Sequence, residues 1–419
     1  GTSANYNFVY VNGNLKIESW AGQYEAIVTD TNTNLPSAKV EFTVSAGSRD
    51  LTGKLTTAKQ AAPVPFKGPL GLDFGAEYAT ANINATVGTG TAAVIYNLQF
   101  AIPLNFDFSA MVTRKEGTNP VATLGSSSSG KKLQLYNGTP PVTYAGAYTL
   151  IFAPDTTVTT LPKPTGSGFA TAAIDAKGKM TFAGALSDGT KITASLLPDA
   201  NAGYRLYLTP YTGRLNSYCA AWIEPQEHPD TALAGRGIIT LADNLSLYWA
   251  KAANDKDTNY RGGIPESKCA ITMDPWLPPT TKAPIFTVPQ RLVLNGTGDF
   301  IPLFESGVSS LTPSIPTLLR MDSKGGVSVN LPAVTPANPS GYKVTVTAAT
   351  GAFSGSFNLT DGSVKRLVNF SGVMRQPPLA ETAPAFIGAG FGIVPQLTGS
   401  LAGSTGTSIS FERPAPPSN

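Results

Sequence analysis

The chain is 419 residues long, only 14% of its residues are charged, and its formal net charge is +3. An average soluble domain is about 25% charged, so charged residues are scarce in this chain. Glycine and proline are abundant instead. That composition is typical of turns and polar-faced strands and predicts almost no helix. The scattered lysines and arginines predict no nucleic-acid partner, and no apolar run approaches the roughly 18 residues of a membrane span.

The N-terminal end contains the clearest hairpin pattern of the chain. Two alternating runs, 6–11 and 14–18, flank Asn12-Gly13, and both of these residues tolerate the positive φ of a type I′ turn. We therefore predict a hairpin over residues 1–18. Its candidate assembly residues are Tyr6, Phe8, Tyr10, Asn12, Gly13, Leu15 and Ile17.

This stretch resembles a known family. The string Asn5-Tyr-Asn-Phe-Val-Tyr-Val-Asn-Gly-Asn-Leu-Lys-Ile17 is similar to the closing hairpin of an MBG domain, an Ig-like repeat found in tandem in very long bacterial surface proteins. Such domains typically end in Asn-Tyr-x-Ile-x-Tyr-Val-x-Gly-x-Leu-x-Ile. The resemblance implies that residues 1–18 are the remnant of such a repeat. Either the chain was cut inside the last repeat, or the hairpin docks on its own chain or on a neighbouring copy.

Internal repetition organises the remaining sequence. A motif of the form aromatic-Ala-Gly-x-Tyr occurs at Trp20–Tyr24 and again at Tyr144–Tyr148, each time before an apolar run. A glycine-turn meander begins at Val40, at Ala172 and at Val344. We predict that these three meanders are equivalent. The glycines predicted to occupy matching places in the strand after the turn, where a side chain would obstruct a packed neighbour, are Gly53, Gly184 and Gly355.

The predicted fold class is all-β with almost no helix, as two or three consecutive antiparallel β-sandwich or barrel modules with internal repeats. After the hairpin at 1–18, we place the first module at 19–142, the second at 143–280, and the third, with its closing strands and a Pro-rich tail, at 281–419. The run Gly125-Ser-Ser-Ser-Ser-Gly-Lys-Lys132 is typical of a flexible linker or long loop.

A second resemblance covers residues 144–412. The motifs Tyr144-Ala-Gly-Ala-Tyr148, Gly184-Ala-Leu-Ser-Asp-Gly-Thr190 and Thr350-Gly-Ala-Phe-Ser-Gly-Ser-Phe357 are similar to a C-terminal β-repeat region of large secreted and surface proteins of environmental bacteria. The resemblance implies an extracellular or cell-surface location. It brings no catalytic assignment with it.

The two cysteines predict a disulfide. Cys219 and Cys269 are the only thiols, neither lies in a Cys-x-x-Cys pattern, and the single histidine, His228, leaves too few ligands for zinc. A Cys219–Cys269 bridge implies an oxidising compartment. Two unpaired buried thiols are the alternative, and His228, followed by proline, is expected in an exposed loop.

No motif of nucleophilic or metalloprotease catalysis occurs, so no catalytic, cofactor or metal residue is assigned. One group of residues has two interpretations: a sugar-binding platform built from tryptophan rings with nearby acids, or buried core tryptophans and solvated loop acids. The residues concerned are Trp222, Trp249 and Trp276 with Glu224, Glu227, Asp230, Glu266 and Asp274. Calcium loops at Asp30–Glu41 and Asn254–Asp257 are weighed against polar turns.

These patterns favour a non-enzymatic structural or adhesive protein of a bacterial cell surface or filament, joined to its neighbours by β-strand addition. The alternative is an array of carbohydrate-binding modules, and an enzyme comes third. The expected partners are copies of itself or other cell-surface proteins, with polysaccharide for the alternative. The given sequence begins at Gly1 without a Met, a charged n-region or an apolar h-region, so we interpret it as a mature or excised product of a secreted protein whose targeting signal lies elsewhere. Exposed aromatic residues would favour binding; buried ones would favour structure.

Overall fold

The computed structural model describes residues 6–11, 14–46, 48, 50–73, 78–103, 107–134, 144–155, 166–278, 298–306, 319–321, 327–329, 341, 343–361, 364–376, 388–395 and 405–412. In these ranges the regular structure is antiparallel strand apart from three 3₁₀ turns, at Gly90–Ala92, Thr231–Leu233 and Leu241–Asp243. The predicted all-β class is therefore confirmed.

The strands follow one another along the whole chain. The first eleven are β1 (Tyr6–Val11), β2 (Asn14–Ser19), β3 (Gly22–Thr29), β4 (Pro36–Val44), β5 (Asp50–Thr57), β6 (Val64–Pro69), β7 (Gly71–Asp73), β8 (Tyr78–Val87), β9 (Val94–Pro103), β10 (Phe108–Glu116) and β11 (Ala122–Lys132). The next ten are β12 (Gly146–Pro154), β13 (Gly168–Ile174), β14 (Met180–Ala185), β15 (Lys191–Leu196), β16 (Tyr204–Leu208), β17 (Tyr218–Ile223), β18 (Gln226–Glu227), β19 (Gly237–Ile238), β20 (Ser246–Lys251) and β21 (Ile264–Trp276). The last eight are β22 (Gly298–Ser306), β23 (Leu319–Met321), β24 (Val327–Val329), β25 (Lys343–Val346), β26 (Ala352–Asp361), β27 (Val364–Met374), β28 (Gly388–Val394) and β29 (Thr405–Glu412).

The chain divides into two compact units. Unit 1 consists of Gly1–Leu135 and Leu197–Ile223, and unit 2 of Tyr136–Leu196 and Glu224–Asn419. Unit 1 contains a nine-stranded sheet in the order β6-β5-β4-β3-β11-β10-β9-β8-β7. Strand β6 also contacts β8, so the two edges of this sheet approach one another and it is nearly closed into a barrel.

Alternation along the strands fills the interior of this sheet with aromatic rings. Tyr24 stacks on Phe42 with ring centroids 5.1 Å apart, and Phe42 lies 4.9 Å from Phe100 and 5.2 Å from Phe108. Residues at the intervening positions, such as Gln99, point outward and are exposed. A period of two with one buried face is what a barrel wall requires.

The serine run Gly125–Lys132 is not a linker, and that prediction is wrong. It lies within β11, which pairs with β10 on one side and β3 on the other, so the sheet depends on it. Its lack of large side chains is compensated at Gly130, where the ring of the cross-strand residue Phe108 fills the space that a Cβ would occupy. Hydrogen bonding to two flanking strands outweighs a composition that is otherwise typical of loops.

Unit 2 contains two large sheet regions. The first runs β15-β14-β13-β12-β21-β20, and the second runs β24-β23-β22-β29-β28-β27-β26-β25. In the second, the edge strands β24 and β25 contact each other. In each of the three large sheets that the structure describes, the first strand in chain order pairs antiparallel with the last, as β3 with β11, β12 with β21 and β22 with β29.

The opening motif has the same local structure in both places where it occurs. The Tyr24 hydroxyl donates to the Trp20 carbonyl oxygen at 2.7 Å, and the Tyr148 hydroxyl donates to the Tyr144 carbonyl oxygen in the same way. Gly22 has a φ of +145°, a region open to glycine but not to other residues. The shared spacing therefore encodes a tyrosine anchor at the start of β3 and of β12.

The three predicted glycines share one environment. Each lies in the second strand of an antiparallel pair, and a Cβ added there would meet the carbonyl oxygen of the residue before its cross-strand partner. These distances are 2.3 Å from Gly53 to Glu41, 1.9 Å from Gly184 to Phe169 and 2.2 Å from Gly355 to Lys343. Gly53 and Gly184 also lie in corresponding strands, β5 and β14, whereas Gly355 in β26 lies in the opposite half of its sheet. The equivalence of the three meanders thus holds locally, and at the level of strand order only for the first two.

Candidate functional site

The N-terminal hairpin forms a sheet of its own. Strand β1 pairs with β2 over six residues, from Tyr6 opposite Ser19 to Val11 opposite Asn14. The register places the predicted assembly residues Tyr6, Phe8, Tyr10, Leu15 and Ile17 on one face of the ladder. Asn12 and Gly13 lie outside the described residues. Within the part of the chain that the structure describes, neither outer edge of this hairpin pairs with a third strand.

The predicted disulfide is absent from the structure. Cys219 and Cys269 are both buried, and no disulfide joins them. Cys269 lies in a central strand, where the residues directly opposite are Pro154 on β12 and Leu247 on β20. Both cross-strand positions, which a bridging partner could occupy, are therefore taken by other side chains.

Burial also makes Cys269 a poor nucleophile. Its pKa is raised to about 12, chiefly by burial and further by the nearby Asp155 carboxylate. At neutral pH the reactive thiolate is scarce. We expect iodoacetamide to leave the native chain unlabelled at Cys269, and to label two thiols per chain after unfolding without a reductant, as counted by mass spectrometry. Fewer than two labels under those unfolding conditions would contradict the structure.

The tryptophans and acids considered for a sugar platform differ in their burial. Trp249 and Trp276 are buried in the core, as is Trp20, and only Trp222 is half-buried. Asp274 forms a buried ion pair with Arg375, whose Nε lies 2.8 Å from Asp274 Oδ2. Of the remaining acids, Glu224, Glu227 and Glu266 are exposed and Asp230 is half-buried.

The metal and histidine candidates have structural surroundings. Asp30 Oδ1 accepts the backbone N–H groups of Asn32 and Thr33, and these bonds lower the pKa of Asp30. Asp257 lies 3.0 Å from Lys251 Nζ. Among the described residues, no group of three or more His, Cys, Asp or Glu side chains is arranged to hold a metal ion. His228 is buried, contrary to the expectation of an exposed loop. Its backbone N–H donates to the carbonyl oxygen of Arg236, which holds this segment against the fold.

Four charged side chains are buried together in unit 1. Lys39 Nζ lies 2.6 Å from Glu25 Oε2 and donates to the Arg205 carbonyl oxygen at 2.8 Å. Arg205 Nη1 lies 2.8 Å from Asp199 Oδ2, and all four residues are at most 5% exposed. Burial raises the pKa of Glu25 against the opposing effect of Lys39. We call this set the charge network; it fixes β16 on the outer face of β3 and β4.

A groove lies on the same side of unit 1. It has a volume of about 520 Å³ and is lined by Ile27, Thr29, Gln99, Phe100, Ala101, Ser109, Ala110, Met111, Ser126, Ser127, Ser128, Ser129 and Trp222. The outward-facing residues of β9, β10 and β11 form its floor, and none of the described residues that line it is charged. This volume falls within the roughly 300–1,000 Å³ that is usual for small-molecule sites.

Sequence reasoning missed both the charge network and the groove. Nothing in the local pattern around Lys39 or Arg205 marks them, because Arg205 is brought to β4 from a distant part of the chain. The serine run did carry a signal for the groove. Four successive serines within a strand give a polar outer face without charge. The interpretation of the run as a linker placed these serines outside any sheet, so it predicted no such face.

No protein-family model and no curated protein matches this chain. Within the described residues, the structure contains no helix that is long and apolar enough to cross a membrane.

Proposed function

We propose that this chain is a non-enzymatic structural and adhesive protein of a bacterial cell surface or a filament-forming assembly, located outside the cell. Its N-terminal hairpin joins neighbouring copies by β-strand addition. The observation on which the proposal depends is the β1–β2 hairpin, a sheet of only two strands in the described part of the chain.

A hairpin of this kind has two outer edges of backbone N–H and C=O groups. Such edges pair readily with another strand, and isolated two-stranded hairpins are at best marginally stable in water. Pairing with the sheet of a second copy supplies the missing hydrogen bonds. Because donor and acceptor surfaces then differ, the contact runs head to tail and generates an open filament instead of a closed ring.

The burial of the aromatic residues also favours a structural role. Trp20, Trp249 and Trp276 are each at most 1% exposed, and the tyrosines of both opening motifs are anchored to the backbone. Rings that pack the core stabilise the fold and are not available to a ligand.

Deletion of residues 1–18 is expected to convert long assemblies into monomers, as measured by light scattering on the purified chain. The reason is the loss of β1 and β2, which pair only with each other in the described part of the chain and whose outer edges are proposed to join a second copy. The control is deletion of residues 413–419 at the other terminus, which is expected to leave assembly unchanged. A chain that is monomeric both before and after removal of residues 1–18 would overturn the proposal.

A further inference from the structure

We propose that the groove of unit 1 binds a segment of an uncharged polysaccharide, with Trp222 as the ring against which a sugar packs. This inference goes beyond the proposed assembly function and depends on different residues. It begins from the chemistry of the lining, in which serine and threonine hydroxyls and the Gln99 amide lie together with one half-buried indole and apolar side chains such as Met111.

The floor of the groove offers hydrogen-bonding groups without charge. Ser128 and Ser129 on β11, and Ser109 on β10, are exposed hydroxyls, and Gln99 on β9 is an exposed amide. Each hydroxyl both donates and accepts, and each amide presents two donors and an acceptor. This matches sugar hydroxyls, which themselves donate and accept in the same way.

The polar floor continues along the outer face of β8 and β9. Asn97 Nδ2 donates to the side-chain oxygens of Asn82 and Asn84, at 2.5 and 2.9 Å, and Gln99 Nε2 donates to Asn97 Oδ1 at 3.0 Å. The amides thus hold each other in fixed orientations, which lowers the entropy lost when a ligand binds. The row extends the binding face beyond the groove, as a chain of several sugars requires.

Other classes of ligand fit this surface less well. A nucleic acid or an anionic polymer needs basic side chains, and none of the described residues that line the groove is basic. A peptide strand needs an open sheet edge, but the floor is a sheet face: β9 and β10 pair on both sides, and β11 pairs with β10 and, on either side of a bulge between Ser126 and Lys131, with β3. An uncharged chain with one apolar ring face and many hydroxyls remains.

Affinity electrophoresis of the full chain through gels containing dextran, laminarin or galactomannan tests the inference, with alginate as the anionic comparison. We expect at least one neutral polymer to retard the chain and alginate not to retard it. Trp222→Ala and Ser128→Glu are each expected to raise the apparent dissociation constant for the retarding polymer about tenfold. Thr52→Glu, an exposed position on β5 of the same unit, is the matched control for the added charge.

Ser128 is exposed on the surface, so its variant keeps the test valid if Trp222→Ala folds poorly. Retardation by none of the three neutral polymers, retardation by alginate alone, or equal retardation of Ser128→Glu and Thr52→Glu would each overturn the inference. The chain without residues 1–18 is tested in parallel. It is expected to bind as the full chain does, which separates failure of the groove from failure of hairpin assembly.

Discussion

Replacement of Lys39 by methionine is expected to lower the free energy of unfolding of unit 1 by about 3–5 kcal/mol, the usual effect of removing one partner from a buried ion pair. Lys39 Nζ lies 2.6 Å from Glu25, which is 2% exposed. Methionine fills most of the volume of lysine but leaves the Glu25 carboxylate buried without its cation. Guanidinium-induced unfolding measures the loss of free energy of unfolding. Native-state hydrogen exchange of the β3 and β4 amides assigns that loss to unit 1.

The matched control is Lys54→Met on the neighbouring strand. Lys54 Nζ lies 3.2 Å from Glu41, but its side chain is 53% exposed, so the change should stay within about 0.5 kcal/mol. The double variant Glu25→Gln/Lys39→Met is expected to recover much of the stability, because no charge is then left buried without a partner at that position. Equal losses for Lys39→Met and Lys54→Met would contradict the buried-pair interpretation.

The pH dependence of this effect has a definite sign. Burial raises the pKa of Glu25 in the folded chain, so the folded state holds that proton more tightly than the unfolded state does. The resulting contribution to stability is present below the unfolded pKa of about 4.3 and is lost as pH rises through the raised folded pKa. Without Lys39, which lowers the pKa of Glu25, the difference between variant and wild type should be smaller near about pH 4 than near about pH 7.

Gly184→Val is expected to destabilise unit 2 by at least about 3 kcal/mol, the upper part of the range for overpacking. A Cβ at this position would lie 1.9 Å from the Phe169 carbonyl oxygen and 2.6 Å from the Ala170 Cα. Both atoms belong to the backbone of β13, which pairs with β14 at this point. They cannot move aside without separating the two strands.

Ala183→Val, one residue earlier in the same strand, is the control. Ala183 is exposed and valine favours strands, so its thermal midpoint should stay near that of the wild type. Gly184→Ala introduces the same Cβ and gives a measurable value if Gly184→Val does not fold. Equal thermal unfolding midpoints for Gly184→Val and Ala183→Val would contradict this prediction. They would show that β13 accommodates the new side chain with little loss of stability.

Patterns that depend on neighbouring residues were predictable from the sequence. The alternation on both sides of Asn12-Gly13 predicted the β1–β2 pairing, and glycine after a turn predicted the close strand approach at Gly53 and Gly184. These features are fixed by local backbone geometry, which a period of two and a glycine determine directly.

Features that depend on distant strands were not predictable. The serine run became a central strand because the chain returns there to pair with β3, and no disulfide forms because other residues face Cys269 across the sheet. Likewise, the charge network joins Lys39 and Arg205, which lie far apart in the chain. Composition and spacing do not indicate which strands from distant parts of the chain become neighbours.

The pairing of the first strand of each sheet with its last also determines how the protein would respond to tension. In unit 2, Ala147 near the start of β12 lies opposite Trp276 at the end of β21. A pull on the two chain segments at these points acts on the same end of the pair, so its hydrogen bonds open one after another, as in a zipper, instead of resisting together. If the chain is tethered in an assembly, as proposed above, such a sheet would yield gradually and lengthen under load, so it would act as an extensible spacer and not as a rigid strut.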